Sequence, residues 1–215
     1  MITFRRHYLD QFLMETNFFG KVLDIGGKKE NKRGKFVPPI EKVESWEYLN
    51  TDPSTKPDYE CNAEKIPVTE NSYDMVLMAE VLEHLLNPDL VLKECNRILK
   101  TNGQLVATIP FLYPVHSDPK DFQRWTPEKI KLEFEQAGFI VDKIEAMGSV
   151  FAVICDLIHV SLVSASKNPA AFMNRVIRKV IMSFAGRFFL WLDRVYIDKS
   201  SVITTGYYVS SRKIH

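Results

Sequence analysis

The sequence predicts an α/β domain built on a doubly wound, mostly parallel sheet. Two observations carry this. Compact apolar runs alternate with amphipathic helical segments along most of the chain. The residues that follow the first two runs are glycines and acids, as expected where such sheets bind ligands, at the carboxyl ends of strands near the reversal of strand order. The 215 residues suffice for one such domain with a proper core, so a single domain spanning 1–215 is expected.

The elements follow in order. Phe4, Tyr8 and Phe12 recur at helical spacing and predict a short amphipathic helix. "KVLDIG" (Lys21–Gly26) is a compact buried strand, and "WEYLNTD" (Trp46–Asp52) a second strand ending in an acid. "DYECNAEKIP" holds a short third strand and a turn, and Tyr73–Met78 is a fourth strand running into a polar turn. Asn87-Pro88 starts a helix, with Asn as cap and Pro at the first helical position. That helix is expected to send Leu90, Val91, Cys95, Ile98 and Leu99 to the core. "TNG" at 101–103 reads as a turn before the strand "QLVATIP". Thr126-Pro127 opens a further helix that Gly138 stops. "FIVDKIEAM" and the tail "SVITTGYYVSSRK" read as the last strands.

Composition excludes some classes. A hydrophobic content of 46% and a net charge of +1 fit an ordinary soluble globular chain; global charge argues neither for nor against nucleic acid, which only local patches could, and no nucleic-acid partner is expected. The three cysteines, Cys61, Cys95 and Cys155, form no Cys-x-x-Cys pair, so neither a disulfide framework nor a zinc site is suggested, and no metal is expected. The N-terminus has no apolar run of signal-peptide length, which points to a cytoplasmic chain.

The strand ends carry the chemistry. Gly26 and Gly27 let backbone N–H groups approach a ligand, and Asp24 can receive hydrogen bonds from it. Asp52 ends the second strand, where a carboxylate can accept both hydroxyls of a ribose. The chain lacks the third glycine and the clear helix that hold a pyrophosphate in nicotinamide enzymes.

The run from Ala63 to Pro110, containing "SYDMVLMAEVLEHLLNP" and "RILKTNGQL", resembles the class I S-adenosylmethionine-dependent methyltransferases, in particular the small type 11 group. With "VLDIGG" and "LNTD" the resemblance extends over about Val22 to Phe139. It implies a Rossmann-like seven-stranded methyltransferase sheet and S-adenosyl-L-methionine as cofactor. It also implies roles: Asp24, Gly26 and Gly27 around the methionine part, Asp52 on the ribose, Asn62 and Ala63 at the adenine edge, and Glu80 beside the methionine end. Two positions depart from the family. Asn62 replaces the usual Asp. "GGKKENKRGKFVPPIEK" has two prolines and no helical periodicity before Ile40, so the first crossover helix is shortened or replaced by a loop. In that loop Lys28, Lys29, Lys32, Arg33 and Lys35 form either a solvated basic surface or a steering patch for an anionic acceptor or membrane.

Methyl transfer from a sulfonium is a direct displacement, aided by alignment and, for a hydroxyl acceptor, by a general base. "PFLYPVHSDPKDFQRWTPEK" places His116, Asp118, Asp121, Arg124 and Trp125 at the edge where an acceptor enters, and it resembles a loop of type 11 proteins linked to glycan pathways. His84 and His116 are the candidate bases, and Asp118, Asp121, Arg124 and Trp125 the candidate acceptor-binding residues. The expected acceptor is a small molecule or a glycan or lipid-linked intermediate, methylated on oxygen. The alternative is a cofactor-binding sensor or partner subunit without transfer activity. Residues 150–200 read as a helical insertion. Its stripe Phe172, Val176, Val180, Phe184 and Phe188, interrupted by arginines, suits a lid, a homodimer interface or, through 171–195, peripheral contact with a membrane.

Overall fold

The computed structural model describes residues 3–30, 34–116, 120–165, 186–196 and 202–214. Five helices lie among them: α1 (Phe4–Glu15), α2 (Pro88–Ile98), α3 (Pro127–Gln136), α4 (Val150–Ala165) and α5 (Gly186–Tyr196). The strands are β1 (Lys21–Ile25), β2 (Ser45–Asn50), β3 (Tyr59–Glu60), β4 (Tyr73–Ala79), β5 (Leu99–Pro110), β6 (Phe139–Ala146) and β7 (Gly206–Lys213). They form one seven-stranded sheet in the order β3-β2-β1-β4-β5-β7-β6. Pairing is parallel from β3 to β5, and β7 runs antiparallel to both β5 and β6. Strand order reverses between β1 and β4, and a crevice opens there at the carboxyl ends.

The central strands are apolar on both faces, as a covered parallel sheet requires. Alternation along them sorts their side chains into two layers. Leu23, Ile25, Val76 and Met78 pack against Val91, Leu92, Cys95 and Ile98 of α2 and Ile130 and Phe134 of α3. Val22, Met75 and Leu77 pack on the other face against Phe4, Tyr8, Leu9 and Leu13 of α1 and Ala152 and Cys155 of α4.

Helix α1 is fastened at its N-terminus by a distant residue. Its first N–H groups, of Phe4 and Arg5, donate to the Asp156 carboxylate on α4 at 2.7 and 2.9 Å, while Thr3 Oγ1 accepts from Arg6 N. Asp193 of α5 draws in the other end of this layer, accepting from Tyr8 Oη at 2.5 Å and from the Ser149 and Ala152 N–H groups at 3.1 Å.

Three local expectations are corrected. Leu90 is exposed, because helical periodicity groups it with Glu94 and Arg97, and Leu92 takes the core position. Asn87 makes no capping hydrogen bond; its amide donates to Glu64 instead, and Pro88 alone marks the helix start. The "TNG" turn lies inside β5, where pairing with β4 jumps from Tyr73↔Leu99 to Met75↔Gln104, so it is a bulge, with Asn102 at φ 62°.

The segment between β1 and β2 contains no α-helix among the described residues, only a 3-10 turn at Ile40–Lys42. Lys32 and Arg33 lie outside the described residues, as do 171–185 of the insertion with Phe172, Val176, Val180 and Phe184. Phe188 and Trp191 of α5 are exposed and stack at 6.0 Å. Among the described residues no helix is long and apolar enough to cross a membrane.

Candidate active site

A cavity of about 200 Å³ occupies the crevice at the strand reversal. Asp24, Gly26, Gly27 and Lys28 line it from the end of β1, Ala79 and Glu80 from β4, and His84 and His116 from the loops beyond. Arg5 and Leu9 of α1 form the opposite wall, with Phe36 and Pro38 of the basic loop at the rim. The loop thus borders the space beside Asp24.

The glycine turn is locked by close approach. Gly26 has φ +78°, and a Cβ there would lie 2.7 Å from Val81 Cγ2. A Cβ on Gly27 would lie 2.4 Å from the Asp24 carboxylate. The Asn50 amide, at the end of β2, donates to the Gly26 and Gly27 carbonyls at 3.2 and 3.1 Å and braces the turn. Asp24 is nearly buried and accepts from Trp46 Nε1 at 3.4 Å. Asn50 and Trp46 were not singled out from the sequence, although Asn50 stands in the "LNTD" run.

Asp52, Asn62 and Ala63 do not line this cavity. Asp52 is exposed at the tip of β2 and caps a 3-10 turn, accepting from Ser54 N at 2.9 Å. Hydrogen bonds from Ser54 hold its carboxyl below the usual range, and Lys28 adds to the effect. Asn62 Oδ1 accepts from Glu64 N at 3.1 Å, and the side chain of Ala63 is part of the core.

Glu80 sits in left-handed backbone at φ 60°, a conformation that non-glycine residues adopt rarely. The turn aims its carboxylate inward, where Oε2 pairs with Arg5 Nη1. The Arg5 guanidinium also lies over the Tyr113 ring, 3.8 Å from its centroid. Arg5 is a residue that sequence reasoning missed; its only signal was a cation on the edge of an amphipathic helix.

A loop containing Asp121 to Trp125 is stitched to the turn that follows β4. Phe122 N donates to Glu83 O at 2.8 Å, and the Gln123 amide donates to the Leu82 and Leu85 carbonyls at 2.8 and 3.1 Å. Asp121 forms a bidentate ion pair with Arg124 and accepts from His116 N at 3.0 Å. This pair folds the loop and pulls the Asp121 carboxyl down to about 2. Trp125 is buried in the core and its indole N–H donates to Gln123 at 3.0 Å, so it supports the loop from beneath. Asp118 lies outside the described residues.

The loop brings His84 and His116 together, with ring centroids 5.2 Å apart. Between them stands Glu83, fully buried, its Oε1 at 3.6 Å from His84 Nε2 and 3.8 Å from His116 Nε2. Burial raises the Glu83 pKa and lowers that of His116, which the Arg5 charge lowers further. The basic loop is partly neutralised, since Lys29 Nζ pairs with Asp58 at 2.6 Å.

A family model described as a methyltransferase domain matches residues 40–107. No curated protein matches the chain. Among solved structures, the [4+2]-cyclase SpnF is 16% identical with a TM-score of 0.62, over 97% of this chain and 81% of that one. Phosphoethanolamine N-methyltransferase 2 of Haemonchus contortus, solved with S-adenosyl-L-methionine, is 13% identical with a TM-score of 0.57, over 96% of this chain and 52% of that one. An S-adenosylmethionine-dependent methyltransferase of Methanosarcina mazei is 11% identical with a TM-score of 0.53, over 90% of this chain and 92% of that one. Likeness at these identities shows the fold, which is the Rossmann-like α/β fold of methyltransferases. The matched family model and this fold together support an S-adenosylmethionine-dependent methyltransferase that uses S-adenosyl-L-methionine as cosubstrate. The cyclase shows that the fold does not dictate the acceptor chemistry, which the side chains at the crevice must decide.

Proposed function

We propose that the chain transfers the methyl group of S-adenosylmethionine to an oxygen of a small molecule or of a glycan or lipid-linked intermediate. One observation carries this reading: a single cavity is lined at one end by Asp24, Gly26, Gly27 and Glu80, and at the other by the imidazoles of His84 and His116. The first end suits an ammonium-bearing, sulfonium-bearing cosubstrate, because Asp24 supplies negative charge in a desolvated place, while the charge of Glu80 is met by Arg5. The second end supplies nitrogen groups able to take or share the proton of an acceptor hydroxyl. Transfer is in-line displacement, so holding the two partners in one water-poor crevice supplies much of the acceleration. The insertion, through α4 and α5, borders the α1 layer that walls the crevice and is read as part of the acceptor side.

The test is isothermal titration with S-adenosylmethionine, followed by an assay for S-adenosylhomocysteine over candidate hydroxyl acceptors. Saturable binding with turnover on a hydroxyl acceptor supports the reading. Absence of cosubstrate binding overturns it, as does tight binding with turnover confined to nitrogen acceptors.

A further inference from the structure

The side chains of Glu83, His84 and His116 form a cluster that neither the glycine turn nor the Asp121–Arg124 pair accounts for. One ligand-type atom from each lies within 4.8 Å of the others. Glu83 is fully buried, yet among the described residues neither of its carboxylate oxygens has a hydrogen-bond partner. A desolvated carboxylate in that condition is costly unless a cation meets it.

The two imidazoles are set up alike. His84 Nδ1 faces the Lys120 carbonyl, and His116 Nδ1 faces the Pro114 carbonyl at 3.3 Å and Asp121 Oδ2 at 3.4 Å. Those partners are acceptors only, so each Nδ1 carries a proton, and the neutral form of each ring has its lone pair on Nε2. Both Nε2 atoms turn toward the same oxygen, Glu83 Oε1. A histidine whose Nδ1–H is held by a carbonyl or carboxylate while Nε2 points into a shared space is how metal-ligating histidines are oriented. The two distances from Glu83 suit an ion: ligands 2.0–2.1 Å from a tetrahedral ion lie about 3.4 Å apart, against 3.6 Å from Glu83 Oε1 to His84 Nε2 and 3.8 Å to His116 Nε2, with all three atoms within 4.8 Å of one another.

We propose that Glu83, His84 and His116 bind a divalent transition-metal ion of the zinc class at the acceptor end of the cavity. Two imidazoles and one carboxylate select such an ion over calcium or magnesium, which prefer all-oxygen sets. Three protein ligands leave a coordination position open toward the cavity. Its use rests on the methyl-transfer reading: with the ion bound, the two imidazoles act as ligands in place of a base, an acceptor hydroxyl on the ion releases its proton to water more readily, its oxygen attacks the methyl carbon, and the carbon–sulfur bond breaks with its electron pair left on sulfur. Binding of the ion does not depend on that reading.

The full chain is stripped with a chelator and titrated with Zn²⁺ by calorimetry, and with Co²⁺ by its visible absorption. Glu83→Gln and His116→Gln are treated alike, after circular dichroism shows them folded. The expected result is one ion per chain, with affinity reduced at least about tenfold in each variant. Absence of saturable binding, or affinity unchanged in both folded variants, overturns the site and leaves a proton on Glu83 as what satisfies it. S-adenosylmethionine is titrated into the same samples. Cosubstrate binding without ion binding sinks the metal site alone, and ion binding without cosubstrate binding sinks the methyltransferase reading alone.

Discussion

Arg5 of the first helix is ion-paired with Glu80 at the end of β4, across 75 residues of sequence, and both side chains are nearly buried. This contact closes the wall of the crevice. Removing the cation would leave a buried carboxylate uncompensated. Arg5→Ala is expected to lower stability by about 3 kcal/mol. The double variant with Glu80→Gln should recover part of that loss, since the orphaned charge goes too. Urea unfolding of the single and double variants measures both effects; an undiminished midpoint in Arg5→Ala would show the pair to be superficial.

Gly27→Ala tests the turn. The added Cβ would come within 2.4 Å of the Asp24 carboxylate. Either Asp24 or the turn must shift, at about 1–3 kcal/mol. S-adenosylmethionine affinity is expected to fall more than about tenfold, because turn and carboxylate both move. Calorimetry on the folded variant decides, and an unchanged dissociation constant would place the cosubstrate elsewhere.

Asp52 caps the 3-10 turn through Ser54 N and is the expected ribose contact. Asp52→Asn keeps an acceptor for the cap and one for a ribose hydroxyl, whereas Asp52→Ala removes both. Asp52→Ala should weaken S-adenosylmethionine by about tenfold, and Asp52→Asn by less. Equal affinity in all three proteins would remove Asp52 from the site.

Asp156 makes stability depend on pH. Burial pushes its carboxyl from 3.8 up to about 6, against the pull of the Phe4 and Arg5 N–H groups and the Arg5 charge. The folded state therefore binds more protons than the unfolded state between those values. The contribution of this group to stability is greatest in acid and declines as pH rises through the interval, by about 3 kcal/mol in total. Asp156→Asn cannot titrate. Its stability relative to wild type should therefore improve between about pH 4 and pH 7. Unfolding curves at both pH values test this; a constant difference would mean that Asp156 is ionised throughout.

The strands and helices were largely legible because their signals are local. "KVLDI" and "MVLM" announce strands buried on both faces, and Thr126-Pro127 and Gly138 bracket α3. The misses were also physical. Leu90 looked like core until the helix phase was set by Val91 and Leu92 meeting the sheet. "TNG" looked like a free turn because strand pairing on both sides of it cannot be read from three residues.

By itself the sequence determined the sheet class, the glycine turn after β1 and the loss of a helix behind it, since each depends on residues near one another in the chain. Only the tertiary structure decided that Asn50 braces the glycine turn, that Arg5 meets Glu80, and that His84 and His116 face one buried carboxylate. Those contacts join segments dozens of residues apart, and their geometry comes from the packing of α1 and the loop around Asp121 on the sheet, where no local propensity reaches.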